Sequence, residues 1–483
     1  MGEKEDPRNG DHVAKKPKLL KLSISDPEFL LASEFSHHQP GTARINNGSF
    51  GCCPESIIAA QRTWQLRFLK QPDHFYFSTL RPNLSKSRAL VKTLINASDL
   101  DEISLVDNAT TAAAIVLQQV GRRFSHINDT VVMFHCAFPA IKKSIQAYVT
   151  RAGASVIEVR LPFPVNSDSE IIAEFRKGLS KAKSNGGKVR LAIIDHITSM
   201  PSVLVPVREL VEICREQGVD QVFVDAAHAI GSVPIDVQEI GADFYVSNLY
   251  KWFFAPPSVA FLYCRKSNSS SSAMHHPVVS HEYGNGLPIE SSWIGTRDYS
   301  PQLVIPTIIE FVNRFEGGIE GIMARNHEQV VKMGKMLAES WGTSLGSPPE
   351  MCASMIMVAL PSKLCVTSDD DAFSLRSHLR EKYKVEVPIY YRPPNEDDGK
   401  NEPRDKDGLI TGYTRISHQV YNKVEDYYKF RDAINQIVEN QQVCKMLSTK
   451  WERLVCFWPT RGTVFQNDFV MIIVLLRTYD SSF

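Results

Sequence analysis

Apolar and amphipathic segments alternate along the chain from about residue 100 to residue 265. Short apolar runs are typical of buried strands, and apolar residues three and four positions apart predict helices between them. The predicted strands are Ile103–Val106, Val131–Phe134, Ser155–Val159, Val189–Ile194, Gln221–Asp225 and Ala242–Val246. The predicted helices are Thr111–Val120, Ala140–Val149 and a segment whose apolar face holds Val207, Leu210, Val211 and Cys214. This order predicts an α/β fold with a mainly parallel sheet, in which ligands bind at the carboxyl ends of the strands.

The pattern changes after about residue 300. A predicted helix near Pro301–Phe315 precedes strands at Ser354–Leu360 and Thr414–Ile416, and another helix begins at Val424. Mixed strands and helices of this kind predict a separate α+β domain. The expected parts are a disordered tail (1–25), a large α/β domain with an N-terminal arm (26–300), a smaller α+β domain (301–447) and an atypical tail (448–483).

The composition is that of an ordinary globular protein, with 43% hydrophobic and 22% charged residues in 483. Lysine plus arginine and aspartate plus glutamate both total 54, so a general affinity for nucleic acid or anionic membranes is not expected. The first twenty-five residues contain acids and lack an apolar core, which argues against a signal or transit peptide. We therefore expect a cytoplasmic protein, with Lys15–Lys18 as a possible nuclear address.

The nine cysteines are scattered and form no CxxC pair. Neither a metal site nor a disulfide framework is predicted, and a reducing compartment fits best. The cysteines are Cys52, Cys53, Cys136, Cys214, Cys264, Cys352, Cys365, Cys444 and Cys456.

Two chemically informative residues follow neighbouring predicted strands. Asp225 ends one strand, and Lys251 follows the next strand in the segment Ser247-Asn-Leu-Tyr-Lys-Trp. Taken singly, each residue is more often a helix cap or a surface charge. Together they match a pyridoxal phosphate (PLP) site, where a lysine forms a Schiff base and a carboxylate pairs with the pyridine nitrogen.

Further polar groups lie at the same predicted sheet edge. Asn108 and Thr111 stand between a strand and a helix, where they are either phosphate ligands or ordinary N-caps. His228 and His196 follow strand ends, and His228 is either a contact of the cofactor ring or a core histidine. Phe138 either stacks on the ring or packs in the core. Arginine is usually a solvated surface residue. Arg415, however, lies within a predicted strand of the small domain, where a solvated side chain is less suitable.

Seven segments together resemble the class V aminotransferase-like PLP enzymes, which have the type I fold. In chain order they are INNGSFG, NATTA, DHITS, VDAAHAIG, SNLYKW, WIGTRD and TRISHQVYN. This group includes cysteine desulfurases, isopenicillin-N epimerases and plant L-cysteine desulfhydrases. The match is nearest to the plant desulfhydrases and covers about residues 25 to 440.

The resemblance implies roles for individual residues and a homodimer. Lys251 is expected to be the catalytic lysine, Asp225 the partner of the pyridine nitrogen and His228 the contact of the ring hydroxyl. Thr296 is expected to reach the phosphate of the neighbouring subunit, and Asn47 and Arg415 to bind the substrate carboxylate. The full set expected to bind the cofactor is Asn108, Thr110, Thr111, Phe138, His196, Asp225, His228, Asn248, Lys251 and Thr296.

The chain also departs from many relatives. Tyr250 replaces a histidine before the lysine, and Phe138 stands where a proton-carrying aromatic residue is common. Cysteine desulfurases carry a catalytic cysteine shortly before the substrate arginine, but the polar segment Pro394–Gly408 contains none. The resemblance therefore implies a PLP-dependent lyase that converts L-cysteine to hydrogen sulfide, pyruvate and ammonia. A desulfurase or epimerase on the same scaffold, and a non-catalytic binding protein, remain alternatives.

Overall fold

The computed structural model describes residues 28–122, 124, 129–184, 188–266, 274–394 and 402–447. Both predicted tails, 1–25 and 448–483, lie outside the described residues. Among the helices of the described ranges, none has both the length and the apolar character needed to cross a membrane.

The described residues contain twelve strands, numbered here in chain order. Seven of them, β2 to β8, form the large sheet. The strands are β1 Ala43–Arg44, β2 Ile103–Val106, β3 Thr130–Phe134, β4 Ser155–Val159, β5 Val189–Asp195, β6 Gln221–Asp225, β7 Phe244–Asn248, β8 Ala260–Cys264, β9 Met355–Ala359, β10 Val385–Glu386, β11 Ile389–Tyr391 and β12 Gly412–Ser417.

The same ranges contain sixteen α-helices, several of them a single turn. The helices are α1 Glu28–Glu34, α2 Glu55–Lys70, α3 Pro72–His74, α4 Arg81–Leu94, α5 Ala109–Gly121, α6 Pro139–Tyr148, α7 Asp168–Ser184, α8 Val207–Glu216, α9 Val237–Ile240, α10 Leu249–Trp252, α11 Leu287–Glu290, α12 Ser300–Leu303, α13 Ile305–Val312, α14 Gly318–Trp341, α15 Asp369–Tyr383 and α16 Val424–Glu439.

The large sheet has the strand order β2-β8-β7-β6-β5-β3-β4. Strand β8 is antiparallel to both of its neighbours, and the other neighbouring pairs are parallel. The predicted α/β class with a mainly parallel sheet is therefore confirmed. Because side chains alternate along a strand, the strands contribute side chains to two hydrophobic cores, one on each face of the sheet. On β5, Ile193 packs in the core that includes α5 and α6, and Ile194 packs in the core that includes α7 and α8.

The register of the sheet brings the predicted strand ends together. Asp195, the last residue of β5, is aligned with Asp225, the last residue of β6, and Asp225 is aligned with Val246 of β7. Strand β7 runs two residues further than the predicted Ala242–Val246, because its pairing with β8 continues to Asn248. Lys251 therefore lies in α10, one turn beyond the sheet edge.

The C-terminal part contains a second, antiparallel sheet with the order β11-β12-β9. Strand β1, near the beginning of the described chain, pairs with β10, so both ends of the chain contribute to this region. Helices α14, α15 and α16 pack around it and share one hydrophobic core with β9 and β12. Helices α12 and α13 instead bury Leu303, Ile305 and Ile308 in the core on the α7 and α8 side of the large sheet. The domain boundary at residue 300 stays a prediction.

The described part of the polar segment Pro394–Gly408 is only partly exposed. Residues 395–401 lie outside the described residues. Glu402 is buried against Arg392, whose Nε also donates to the Phe163 carbonyl oxygen at 2.8 Å. The Asp405 carboxylate accepts a hydrogen bond from the Ser362 backbone N–H at 2.7 Å. The ion pair of Glu402 and the hydrogen bond of Asp405 therefore attach this polar segment to the rest of the protein.

Candidate active site

Lys251 is placed at the sheet edge by the turn from β7 into α10. Its Nζ lies 3.2 Å from Nε2 of His228, which is itself buried. Burial lowers the pKa of the Lys251 amine to about 8, the Asp225 carboxylate opposes this shift, and the Arg415 charge adds to it. The neutral amine, which is the nucleophilic form, is therefore far more populated near neutral pH than that of an ordinary lysine, although it is still the minor form there.

Asp225 ends β6 on the face of the sheet that carries α5, because it alternates with Phe223 of that core. The residue is 4% exposed, and Oδ1 accepts a hydrogen bond from the Ala227 N–H at 3.1 Å. Burial raises the pKa of this carboxyl group, and the charge of Lys251 opposes the shift. A cationic ring nitrogen would supply the counter-charge that burial makes necessary.

His228 follows Asp225 in the small-residue turn after β6. Burial lowers the pKa of His228 well below its usual value, and the Lys251 and Arg415 charges act in the same direction. The imidazole is therefore neutral. Its Nδ1 is buried and has no hydrogen-bond partner among the described residues, so the ring has one free polar position for a ligand.

The amino end of α5 forms the wall that was predicted to bind phosphate. Oδ1 of Asn108 accepts from the Thr111 N–H at 2.9 Å, and Oδ1 of Asn248 accepts from the Ala109 N–H at 2.8 Å. Both asparagines thus act as caps in this structure, and Asn248 fixes the helix start against β7. Thr110, between the two capped positions, is exposed. A helix start with an exposed hydroxyl suits an anionic group.

Arg415 on β12 is almost fully buried, at 1% exposure. Nη1 donates to the carbonyl oxygen of Ser199 at 2.8 Å, and Nη2 donates to Oδ1 of Asn46 at 3.0 Å and to Oγ of Ser49 at 2.9 Å. Nε has no partner, and no carboxylate pairs with this guanidinium in the described ranges. Burial lowers the pKa of Arg415 to about 10, so the group stays charged near neutral pH. A buried cation held only by neutral groups suits an anionic ligand.

Asn47 is not placed as predicted. Its Nδ2 donates to Oδ1 of Asn422 at 2.7 Å, and its Oδ1 accepts from the Tyr421 hydroxyl at 2.5 Å. These bonds hold the segment against the small domain, and the neighbouring Asn46 contacts Arg415 instead. The INNGSFG motif contains both asparagines, and the sequence alone gives no signal that would distinguish them.

His196 is also separated from the predicted site. Its Nδ1 lies 2.8 Å from the Tyr245 hydroxyl, on the face of the large sheet opposite Asp225. The structure does not bring His196 together with Asp225 and Lys251, because consecutive residues at a strand end point to opposite faces, and the predicted cofactor contact stays a prediction. Asp195, one residue earlier, is the residue on the cofactor side. The strict alternation from Ile193 would have identified it.

Two other predicted contacts lie at the periphery. Phe138 precedes α6 and is 45% exposed. Thr296 is exposed and precedes Arg297, which forms an ion pair with Asp107, next to Asn108. In the described part of one chain, no side-chain hydrogen bond or ion pair joins either residue to the buried group formed by Asp225, His228 and Lys251. Their predicted roles stay predictions.

Comparison with known proteins identifies the family to which this constellation belongs. The family model described as aminotransferase class-V matches residues 74–373. The chain belongs to this family. A curated relative, the L-cysteine desulfhydrase of Arabidopsis thaliana, is 66% identical over 448 residues, which cover 91% of this chain and 98% of the relative.

Solved structures show the same fold. A cystine C-S lyase, C-DES, in complex with cysteine persulfide has a TM-score of 0.62 at 17% identity and covers 82% of this chain and 97% of its own. A cysteine desulfurase from Thermococcus onnurineus NA1 has a TM-score of 0.59 at 18% identity, covering 83% and 95%. The type I fold expected from the sequence is thereby confirmed.

The class-V site fits pyridoxal phosphate. The fit rests on three features: the buried Nδ1 of His228, which has no hydrogen-bond partner among the described residues, the buried carboxyl of Asp225, and the start of α5 with its exposed Thr110. These provide, in turn, a contact for a ring oxygen, a counter-charge for a ring nitrogen and an anion site for phosphate. Lys251 supplies the amine beside them. Tyr250, which replaces a common histidine, is half-buried and packs against the core.

A second polar cluster lies beside the INNGSFG segment. Ligand atoms of His37, His38 and Cys52 all lie within 4.8 Å of one another. The Arg44 guanidinium, however, lies 3.1 Å from Nε2 of His38, the nitrogen that faces Cys52 at 2.5 Å. A fixed cation on that nitrogen opposes a metal ion, so the cluster is better described as a hydrogen-bonded support for the segment.

Proposed function

We propose that this class-V enzyme is a PLP-dependent L-cysteine desulfhydrase. It converts L-cysteine and water to hydrogen sulfide, pyruvate and ammonia. The observation that supports this most directly is the 66% identity to the Arabidopsis L-cysteine desulfhydrase across 91% of this chain. The buried Lys251, Asp225 and Arg415 supply the groups that such a reaction needs.

PLP, when bound, supplies an electron sink that stabilises negative charge at the substrate Cα. Lys251 would hold the cofactor, and its free amine would take the Cα proton on Nζ. Its lowered pKa, about 8, makes the amine a base near neutral pH. The Asp225 carboxylate holds the positive charge of the ring nitrogen in place. Neutral His228 orients the ring from the side of its oxygen.

Arg415 binds the substrate carboxylate. Its guanidinium plane is held by Asn46 and Ser49 on one nitrogen and by Ser199 on the other. Because these partners are neutral, the positive charge is not cancelled before the substrate arrives. A substrate carboxylate that replaces the hydroxyls of Ser199 and Ser49 as acceptors could take two aligned hydrogen bonds from the guanidinium, which would fix the orientation of Cα relative to Lys251.

The desulfurase alternative needs an ionised thiol that reaches the substrate sulfur. Cys136, in the turn after β3, interacts electrostatically with Asp195, and burial raises its pKa well above the usual value. Burial also raises the pKa of Cys352 to about 12. The segment 366–443 contains no cysteine. The raised pKa values of Cys136 and Cys352, together with the lack of a cysteine in 366–443, favour elimination over desulfuration.

The homodimer is part of the proposal. Three strongly exposed apolar side chains, Leu69, Phe77 and Val279, are 69%, 85% and 69% exposed. Their segments adjoin the Thr296 segment, since the Tyr76 hydroxyl donates to the Arg297 carbonyl oxygen at 3.2 Å. A second copy that covers these side chains would bring Thr296 towards its neighbour's site. Such exposed apolar residues are typical of association surfaces.

The decisive assay is product analysis with purified protein and PLP. With L-cysteine, pyruvate, ammonia and sulfide should form in equal amounts without an added thiol acceptor. Lys251→Ala should abolish all three products, and Lys266→Ala, which changes an exposed lysine paired with Asp99, should leave them unchanged. Alanine as the main product would instead establish the desulfurase, and a changed Cα configuration without sulfide would establish an epimerase.

In sedimentation experiments the protein should be a dimer, and Phe77→Asp should weaken the association of its subunits.

A further inference from the structure

Asp195 lies beside Asp225 at the cofactor edge of the large sheet. The two residues are register partners at the ends of parallel strands β5 and β6, and each is 4% exposed. Both alternate with residues of the α5-side core, Ile193 and Phe223. Two carboxyl groups this close in an apolar setting do not both ionise without compensating cations.

The two carboxyl groups differ in the charged and polar groups that surround them. Asp225 interacts with the Lys251 charge from α10 and accepts the Ala227 N–H. Asp195 receives only its own backbone N–H, and its Oδ2 is buried without a hydrogen-bond partner among the described residues. The other titratable group beside it is the Cys136 thiol, which follows β3. The negative charge therefore belongs on Asp225, where a cation is available.

We propose that Asp195 is a neutral carboxylic acid that directs its hydroxyl towards the bound cofactor and leaves Asp225 as the charged carboxylate of the pair. Burial and the neighbouring Asp225 both raise the pKa of Asp195 well above its usual value, which agrees with this geometry. The hydrogen bond to the cofactor rests on the proposed function. The protonation state does not, because it follows from the protein alone.

A neutral Asp195 has a consequence for Lys251. A second carboxylate at this edge would raise the pKa of the lysine and hold it as an ammonium ion. With Asp195 neutral, only Asp225 opposes the effect of burial, and the amine remains reactive near neutral pH. Asp195 thus acts as a positioning residue, through Asp225 and Lys251.

The protonation state can be tested by infrared spectroscopy on the full-length protein at pH 7, before PLP is added. The wild type should show the carbonyl stretch of a protonated carboxyl group, and Asp195→Asn should lack it. Asp129→Asn is the matched control, because Asp129 is equally buried but bonded to Arg190 at 2.8 Å and therefore ionised. A band that disappears in Asp225→Asn but persists in Asp195→Asn would place the proton on Asp225 and overturn the proposal.

The influence on Lys251 and on the cofactor has separate readouts. The pH midpoint of PLP uptake should be the same in Asp195→Asn and wild type, whereas a lower midpoint in the variant would show that Asp195 was charged. Asp195→Asn keeps a neutral donor and should bind PLP within about threefold of wild type, while Asp195→Ala should bind about tenfold more weakly. Equal affinity in the alanine variant would overturn the hydrogen bond. A wild type that binds no PLP would refute the proposed function, while the infrared result would still decide the protonation state.

Discussion

Nζ of Lys251 lies 3.2 Å from Nε2 of His228, and the other ring nitrogen of that histidine is buried without a partner. Burial and two nearby cations keep the imidazole neutral. The histidine can therefore contact the lysine and still offer its second nitrogen to a ligand. This pair joins the turn after β6 to the turn after β7, and so links the two strand ends that the sequence singled out.

Replacing the lysine should separate chemistry from cofactor binding. We expect Lys251→Ala to reduce turnover by at least about a thousandfold, because both the attachment point and the base are removed. The variant should still bind PLP through the α5 start and Asp225, but borohydride should no longer fix the cofactor to the protein. Peptide mass analysis after reduction measures this directly. A cofactor fixed to another lysine would contradict the assignment.

The rate of PLP uptake should depend on the protonation of Lys251. Because burial lowers its pKa to about 8, the amine is mainly protonated below pH 8 and mainly neutral above it. Only the neutral amine attacks the cofactor aldehyde, so the uptake rate should rise through pH 8 and then level off. Stopped-flow absorbance at constant ionic strength provides the profile. A midpoint near 10.5, the ordinary lysine value, would show that burial does not control this group.

Much of the large sheet could be predicted from the sequence because six of its seven strands are almost entirely buried. Ile103–Val106 and Gln221–Asp225 have the predicted bounds, since their buried, mainly apolar residues end where polar turns begin, and the partly buried edge strand Ser155–Val159 also has the predicted bounds. The position of Asp225 at a strand end followed from the same signal.

Contacts between side chains that lie far apart in the sequence were harder to predict. The choice between Asn46 and Asn47 depends on where Asn422 and Arg415 lie, about 370 residues away, and no local pattern encodes that. At the end of β5, the strand period places Asp195, rather than His196, on the same face as Asp225. The role predicted for Thr296 involves a second subunit and stays a prediction.

The two asparagines can be distinguished by kinetics. Asn46→Ala should raise the KM for L-cysteine by about tenfold, because the Arg415 guanidinium loses a partner that aligns it. Asn47→Ala should instead lower the thermal stability, since Asn422 and Tyr421 lose a buried partner. Steady-state kinetics and thermal unfolding of both variants provide the comparison. A large KM effect confined to Asn47→Ala would restore the role that the sequence predicted for it.

Gly51 should be required for the geometry around Lys251. A Cβ at this position would overlap the carbonyl oxygens of Tyr250 and Lys251, so the backbone must move if any side chain is added. We expect Gly51→Ala to weaken PLP binding by about tenfold or more, because the overlap displaces the lysine turn. Gly408→Ala is the matched control, since its Cβ would make only ordinary contact with Ser362. Equal PLP affinity in the two variants, measured by absorbance titration, would show that the turn tolerates the shift.

Substitution of the thiols should leave elimination intact. Cys136 interacts electrostatically with Asp195, while Cys352 is buried and Cys365 is exposed. In a desulfurase one of them would attack the substrate sulfur, so its loss would abolish turnover and leave no persulfide on the enzyme. In an eliminating enzyme the β-sulfur leaves without a protein nucleophile, so the single variants Cys136→Ser, Cys352→Ala and Cys365→Ala should each retain most of the pyruvate rate. The measurement is pyruvate, alanine and sulfide from the same reaction mixture. Loss of turnover in one folded variant, with alanine as the wild-type product, would replace the desulfhydrase by the desulfurase.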